Sequence, residues 1–376
     1  MKTSIIKLSA IAIVLVIAIA ACTSDTKSTS ATDSVNRDST FNSVLKPAGP
    51  PPEWGQSIKP EMQAVIEKLT SYGDKPLESL NEVDARKNHT PTDAVMALVE
   101  ANRIAIPQTQ VDTTGKDIDV AGGKIHLRIY TPKSGEGAFP VIVYYHGGGF
   151  VIANLDVYNA SAQALAEQVN AVVVSVAYRL APENKFPTAH NDAFTAYEWV
   201  VKNAVNLKGD PAKIAVVGES AGGNLAVNVS ITARDKHIMV PVHEVLIYPI
   251  AQANMNTESY KMYENAKPLN KAMMGWFMEK YLTTMIEAQN PKISLVNAKL
   301  NGLPPTTIIT AEIDPLHDDG AMLANKFAAE GVKVNSRNYE GVTHEFFGMA
   351  AVVPEAKAAQ AYAADQLKAA FKSTGK

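Results

Sequence analysis

One serine stands between glycines in Gly218-Glu219-Ser220-Ala221-Gly222-Gly223. The apolar run Ile214-Ala215-Val216-Val217 precedes it directly, and the helix-forming Asn224-Leu225-Ala226-Val227 follows directly. A strand that turns sharply into a helix at G-x-S-x-G lifts the serine oxygen above the sheet. The helix N-terminus beneath favours negative charge nearby. This is a setting for a nucleophilic hydroxyl. A dinucleotide loop would need glycine where Ser220 stands, so hydride transfer does not fit.

A serine nucleophile needs a base, and donors for the oxyanion it creates. Donors are offered by His146-Gly147-Gly148-Gly149-Phe150, at the end of the apolar run 141–145. Three glycines in a row are costly in a folded core, and bare N–H groups closely approaching a substrate oxygen are a reason to keep them. A tight strand-to-helix turn is the plain alternative. The order serine, acid, histidine restricts the base among eight histidines. His317 and His344 lie downstream of Ser220 with an acid between, and His317 sits too close in chain to Asp314 for separate arms. His344 follows the run ending at Tyr339 through an expected loop at 340–343. Asp314 follows the strand-like 306–310 and precedes Pro315. Its rivals are Glu312, Asp318 and Asp319, the last two better suited to a helix's first turn.

These residues need elements to position them. Short Val/Ile-rich runs at 141–145, 172–177, 214–217, 245–248 and 306–310, with a more polar one at 332–339, alternate with helical stretches. The stretches are 159–169, 189–202, 221–234, 318–329 and 355–371. That alternation predicts an α/β fold with a mostly parallel sheet covered by helices on both faces. Ahead of it, 118–120 and 125–130 around Ala121-Gly122-Gly123 predict a hairpin. Residues 53–106 read as amphipathic helices, and 254–289 as a helical insertion rich in Met, Tyr and Trp.

Together these motifs resemble the bacterial hormone-sensitive-lipase-like esterases, a family of the α/β-hydrolase fold. The resemblance rests on the serine and glycine motifs, on Tyr178-Arg179-Leu180-Ala181-Pro182-Glu183, on Asp314-Pro315-Leu316 and on His344. It implies a serine carboxylesterase acting on short- to medium-chain acyl esters through an acyl-enzyme. Ser220 would be nucleophile, Asp314 acid and His344 base. The oxyanion hole would come from Gly147, Gly148 and Gly149, above all the last two, with Ala221. The resemblance also implies that 53–106 and 254–289 form a cap over Ser220, with Phe150, Met274, Phe277 and Met278 meeting substrate. Met262, Met273, Trp276 and Tyr281 would extend that apolar wall, unless these side chains form the cap's own core. Two departures stand out. His317 and Asp319 replace an Arg and a Glu, implying an altered salt bridge. Glu345 replaces a Gly, putting a carboxylate beside the site that would disfavour anionic substrates or change the pH response. An amidase, deacetylase or acyltransferase with the same triad remains open, as does a non-catalytic ligand-binding relative. Keeping all three residues argues against the last.

Composition agrees with a globular body: 46% hydrophobic and 19% charged residues in 376. A formal net charge of −3 provides no basic field for nucleic acid. The single cysteine, Cys22, excludes disulfide frameworks and Cys-rich zinc sites, and the expected chemistry calls for no metal or cofactor. Lys2 and Lys7 precede the apolar run 8–21, whose end Ile19-Ala20-Ala21-Cys22 resembles a bacterial lipoprotein processing site. The expected organisation is a leader at 1–21, a Ser/Thr/Pro-rich tether at 22–51 and a hydrolase domain at 52–376. Lipidation of Cys22 would hold the protein at the cell envelope, periplasmic or outer-membrane, with oligomeric state left open.

Overall fold

The computed structural model describes residues 45–135 and 138–373. The expected leader, Cys22 and the tether up to residue 44 lie outside the described residues. The tether was expected to run to residue 51, yet Leu45 is already buried. Ala48 and Gly49 donate their N–H groups to Glu67 on α1 (Pro60–Ser71). The body therefore takes in this segment, because Glu67 and Gln63 satisfy its backbone.

Two further helices, α2 (Glu82–Ala85) and α3 (Pro91–Ala101), complete the N-terminal arm. The α3 start is well specified: Thr90 and Asp93 form a reciprocal capping box, with a proline in the first turn. Eight strands then build one sheet: β1 (Val111–Val120), β2 (Gly123–Pro132), β3 (Phe139–Tyr145), β4 (Val172–Ala177), β5 (Gly209–Glu219), β6 (Glu244–Ile247), β7 (Thr306–Ile313) and β8 (Val334–Thr343). Their order is β1-β2-β4-β3-β5-β6-β7-β8. The β1–β2 and β2–β4 pairs are antiparallel, and all the others are parallel. The interleaved helices are α4 (Asn159–Val169), α5 (Thr188–Asn203), α6 (Ala221–Asp235), α7 (Glu258–Met262), α8 (Lys271–Tyr281), α9 (His317–Ala329) and α10 (Pro354–Ser373).

Alternation along the strands explains the layers. Val141, Val143 and Tyr145 enter one buried cluster, with Leu225 of α6 and Phe327 of α9. Ile142 and Tyr144, between them, enter the other, with Leu165 of α4 and Leu367 of α10. Successive side chains point to opposite faces, so a strand covered on both sides must be apolar throughout. The expected doubly covered sheet is what forms.

Two boundaries move. The hairpin is longer than expected, pairing Val111 with Pro132 through to Val120 with Gly123, so Gly123 belongs to the strand rather than the turn. More consequential, β8 does not stop at Tyr339. It continues through the expected loop to Thr343, which pairs with Ile313 of β7 across a local irregularity. Asp314 and His344 are the next residue on each of these adjacent strands. Parallel pairing alone thus sets them side by side at the carboxyl edge, where ligand-facing groups of open α/β sheets collect.

Candidate active site

Ser220 occupies the single residue between β5 and α6, at φ 54° and ψ −115°. A non-glycine residue at positive φ is strained, and surrounding bonds must hold it. Here the Ser220 N–H donates to the Ile247 carbonyl at 2.8 Å, while its own carbonyl accepts from Gly223 N at 3.0 Å and Ile250 N at 3.2 Å. The flanking glycines are needed for space. A Cβ on Gly218 would stand 2.0 Å from the Gly222 carbonyl oxygen, and one on Gly222 2.0 Å from that of Tyr145.

The three expected residues meet. His344 Nδ1 lies 2.6 Å from Asp314 Oδ2, and His344 Nε2 lies 3.0 Å from Ser220 Oγ. With Nδ1–H donating to the carboxylate, Nε2 is the acceptor for the serine hydroxyl. Asp314 is itself oriented, since its other oxygen accepts the Leu316 N–H at 2.8 Å. All three side chains are buried. Burial, the largest single influence on His344, favours the neutral ring. The adjoining Asp314 carboxylate, with smaller contributions from Glu345 and Glu219, outweighs it and raises the pKa from the ordinary 6.5. Such a group can take the serine proton and hold the resulting positive charge.

A cavity of ≈ 700 Å³ opens onto Ser220 and His344, with Gly148, Gly149 and Glu345 in its wall. Gly148 and Gly149 take positive φ values of 94° and 58°. Their N–H groups, and that of Ala221 at the start of α6, have no acceptor among the described residues. These amides can serve an oxyanion. Gly147 differs from expectation: it is not in the cavity wall, and its carbonyl accepts from Tyr178 Oη at 3.1 Å and His146 Nδ1 at 2.8 Å. It anchors the loop from behind. Burial lowers the His146 pKa to about 4, so that ring stays neutral, stacked on Tyr178.

The expected apolar wall is divided. Met273, Met274 and Phe277 of α8 line the cavity, facing Leu69, Leu77 and Ala85 of the N-terminal arm. Both expected cap segments therefore share its wall with Ser220. Phe150 and Met278, expected to meet substrate, are absent from the lining. Phe150 is turned into the core, stacked on Tyr281 with ring centroids 4.2 Å apart. Met278, Trp276 and Tyr281 are buried in the same core cluster, and Met262 is 66% exposed on the outside. An eleven-residue helix offers only one face to the cavity, and its other faces build the core.

Several supports escaped the sequence reading. Arg86, just past α2, donates to the Val151 and Ala181 carbonyls at 2.9 and 2.7 Å and forks onto both Glu183 oxygens at 2.8 Å. It ties the arm to the turn that follows the glycines and to the end of the Tyr178–Glu183 motif. Arg179, inside that motif, forks onto Asp192 of α5 at 2.7 and 2.8 Å. Behind Ser220, Glu219 accepts from Tyr144 Oη at 2.5 Å and from Tyr248. Burial, the largest influence, pushes Glu219 up to about 7 against these two bonds. The Tyr248 ring also packs 4.5 Å from that of His344. Asp319 forms no altered salt bridge. It accepts from Ala251 N at 2.9 Å and Gln252 N at 3.1 Å, with no cation among its partners in the described residues, and His317 Nδ1 donates to the Ala311 carbonyl at 2.9 Å.

Comparison with known proteins places this geometry among relatives. A family model described as the alpha/beta hydrolase fold matches residues 142–348. The chain is 38% identical over 251 residues to carboxylesterase NlhH of Mycobacterium tuberculosis, covering 66% of this chain and 79% of that one. It is 31% identical over 308 residues to the ethyl acetate hydrolase of Pseudomonas putida, covering 80% and 95%. Among solved structures, the hyperthermophilic esterase of the archaeon Pyrobaculum calidifontis superposes with a TM-score of 0.75 at 34% identity, over 83% of this chain and 98% of that one.

Proposed function

The chain belongs to the α/β-hydrolase fold family and is a carboxylic ester hydrolase, and from that premise we propose that Ser220 is the nucleophile, His344 the general base and Asp314 its orienting carboxylate. One observation carries this reading: an unbroken hydrogen-bond line from Ser220 Oγ through both nitrogens of His344 to Asp314. Ser220 attacks the ester carbonyl as His344 takes its proton, and Asp314 stabilises the imidazolium. The oxyanion rests on the amides of Gly148, Gly149 and Ala221, donors that each contribute about 3 kcal/mol in comparable sites. His344 returns the proton to the departing alcohol. Water then attacks the acyl-enzyme by the same route, so every step uses only this chain, ester and water.

Short- to medium-chain acyl esters are the proposed substrates. Met273, Met274 and Phe277 support this, since flexible thioethers beside one aromatic ring suit acyl chains of varied shape. The pH profile on p-nitrophenyl esters tests the assignment of the base. Because the His344 pKa is raised, kcat/KM should begin to fall at a pH above the ordinary value of about 6.5, as the ring gains a proton and loses its acceptor. A profile flat down to about pH 4 removes His344 as base. Matched anilides should react far more slowly, and equal rates on both would favour an amidase.

We also propose that Cys22 carries lipid and holds the enzyme at the bacterial cell envelope. Lys2, Lys7, the apolar run 8–21 and the Ile19-Ala20-Ala21-Cys22 junction support this. Cys22→Ser should move the enzyme from the membrane fraction to the soluble one, and an unchanged distribution contradicts the anchor.

A further inference from the structure

The residue directly after His344 is Glu345, and it sits in the left-handed region at φ 69°. That conformation is disfavoured for any residue with a Cβ, so a glutamate there needs a reason. Its side chain is held in place: Tyr158 donates its hydroxyl hydrogen to Glu345 Oε1. Tyr158 has room only because position 147 is glycine, where a Cβ would stand 2.3 Å from its hydroxyl oxygen. Glu345 lines the cavity along with Ser220 and His344, and its Oε2 has no hydrogen-bond partner among the described residues.

The cations of the cavity wall are engaged or exposed. Arg86 is committed to Glu183 and two carbonyls, and Lys75 and Lys267 are exposed. The wall beside the nucleophile thus presents a fixed carboxylate with one oxygen uncommitted. We infer that Glu345 is a specificity-determining residue, selecting against esters that carry a carboxylate near the scissile bond and for esters that carry a cationic group there. An anionic substituent would be desolvated against a like charge, whereas an ammonium group meets an opposite one.

This inference rests on the ester-hydrolase reading, and the experiment separates the two. The probes are acetate esters of choline, of its uncharged carbon isostere and of an omega-hydroxy carboxylate of matched length. In the wild type, kcat/KM should favour the choline ester over the neutral one, and the neutral one over the carboxylate, by about tenfold each. Glu345→Gln keeps an acceptor for Tyr158 but removes the charge, and both ratios should collapse toward unity. Glu345→Gly, which suits the left-handed backbone, should do the same. A purely structural role would instead change all three esters together and leave the ratios standing. Wild-type hydrolysis of the neutral acetate, with both ratios unchanged in both variants, overturns the inference alone. Failure of the wild type on all three esters removes the reading beneath it.

Discussion

Replacing Ser220 with alanine is expected to lower turnover of a p-nitrophenyl ester by about 10⁶, since no other hydroxyl among the described residues is bonded to the His344 ring. The fold should survive. The lost atom makes a single hydrogen bond, to the triad itself, and the backbone bonds that hold residue 220 at φ 54° do not involve the side chain. Residual rate above water should persist, because the amides of Gly148, Gly149 and Ala221 remain able to polarise a bound carbonyl. Purified Ser220→Ala protein with a wild-type circular dichroism spectrum and at least about a tenth of wild-type activity would refute the nucleophile assignment.

Asp314→Asn should cost about 10⁴ in kcat while leaving the cavity intact. The asparagine can keep its carbonyl oxygen on the Leu316 N–H, now received by Asp314 Oδ1 at 2.8 Å. Its amide then points at His344 Nδ1 as a donor. The imidazole answers by carrying its proton on Nε2, where it can no longer accept from Ser220. The ground-state binding of a neutral ester should change little, so the loss should fall on kcat more than on KM. Turnover within about tenfold of wild type would mean that Asp314 does not set the tautomer.

How much of this was legible in the sequence follows from where burial leaves a mark. The strand 172–177 and helix 159–169 match the structure at both ends, because a strand buried on two faces is a near-continuous Val-rich run and an amphipathic helix is periodic. The polar first half of β1 is different. Residues 112–117 are exposed at the edge of the sheet and leave no hydrophobic pattern, so the sequence marks only the end of that strand. The last residues of β8 look like a loop in the sequence because Gly341, at φ 72° in the structure, interrupts the pattern, although the pairing resumes at Thr343. The triad was legible because its chemistry restricts residue type and order. Arg86, Tyr158 and the two tyrosines on Glu219 were not, since a long-range side-chain partner has no signature in chain spacing. Phe150 and Met278 show the converse limit: composition marks an apolar wall without saying which face of each element meets the cavity.

Strands β5, β7 and β8 bring one hydroxyl, one carboxylate and one imidazole into a shared proton path. A fluorophosphonate probe, followed by mass mapping of the labelled peptide, addresses it most directly. Stoichiometric labelling at Ser220 is expected in parallel with loss of esterase activity, with no label in Ser220→Ala and greatly slowed labelling in His344→Ala. Full esterase activity with Ser220 unlabelled, or labelling at Ser220 as fast without His344 as with it, would contradict a shared proton path.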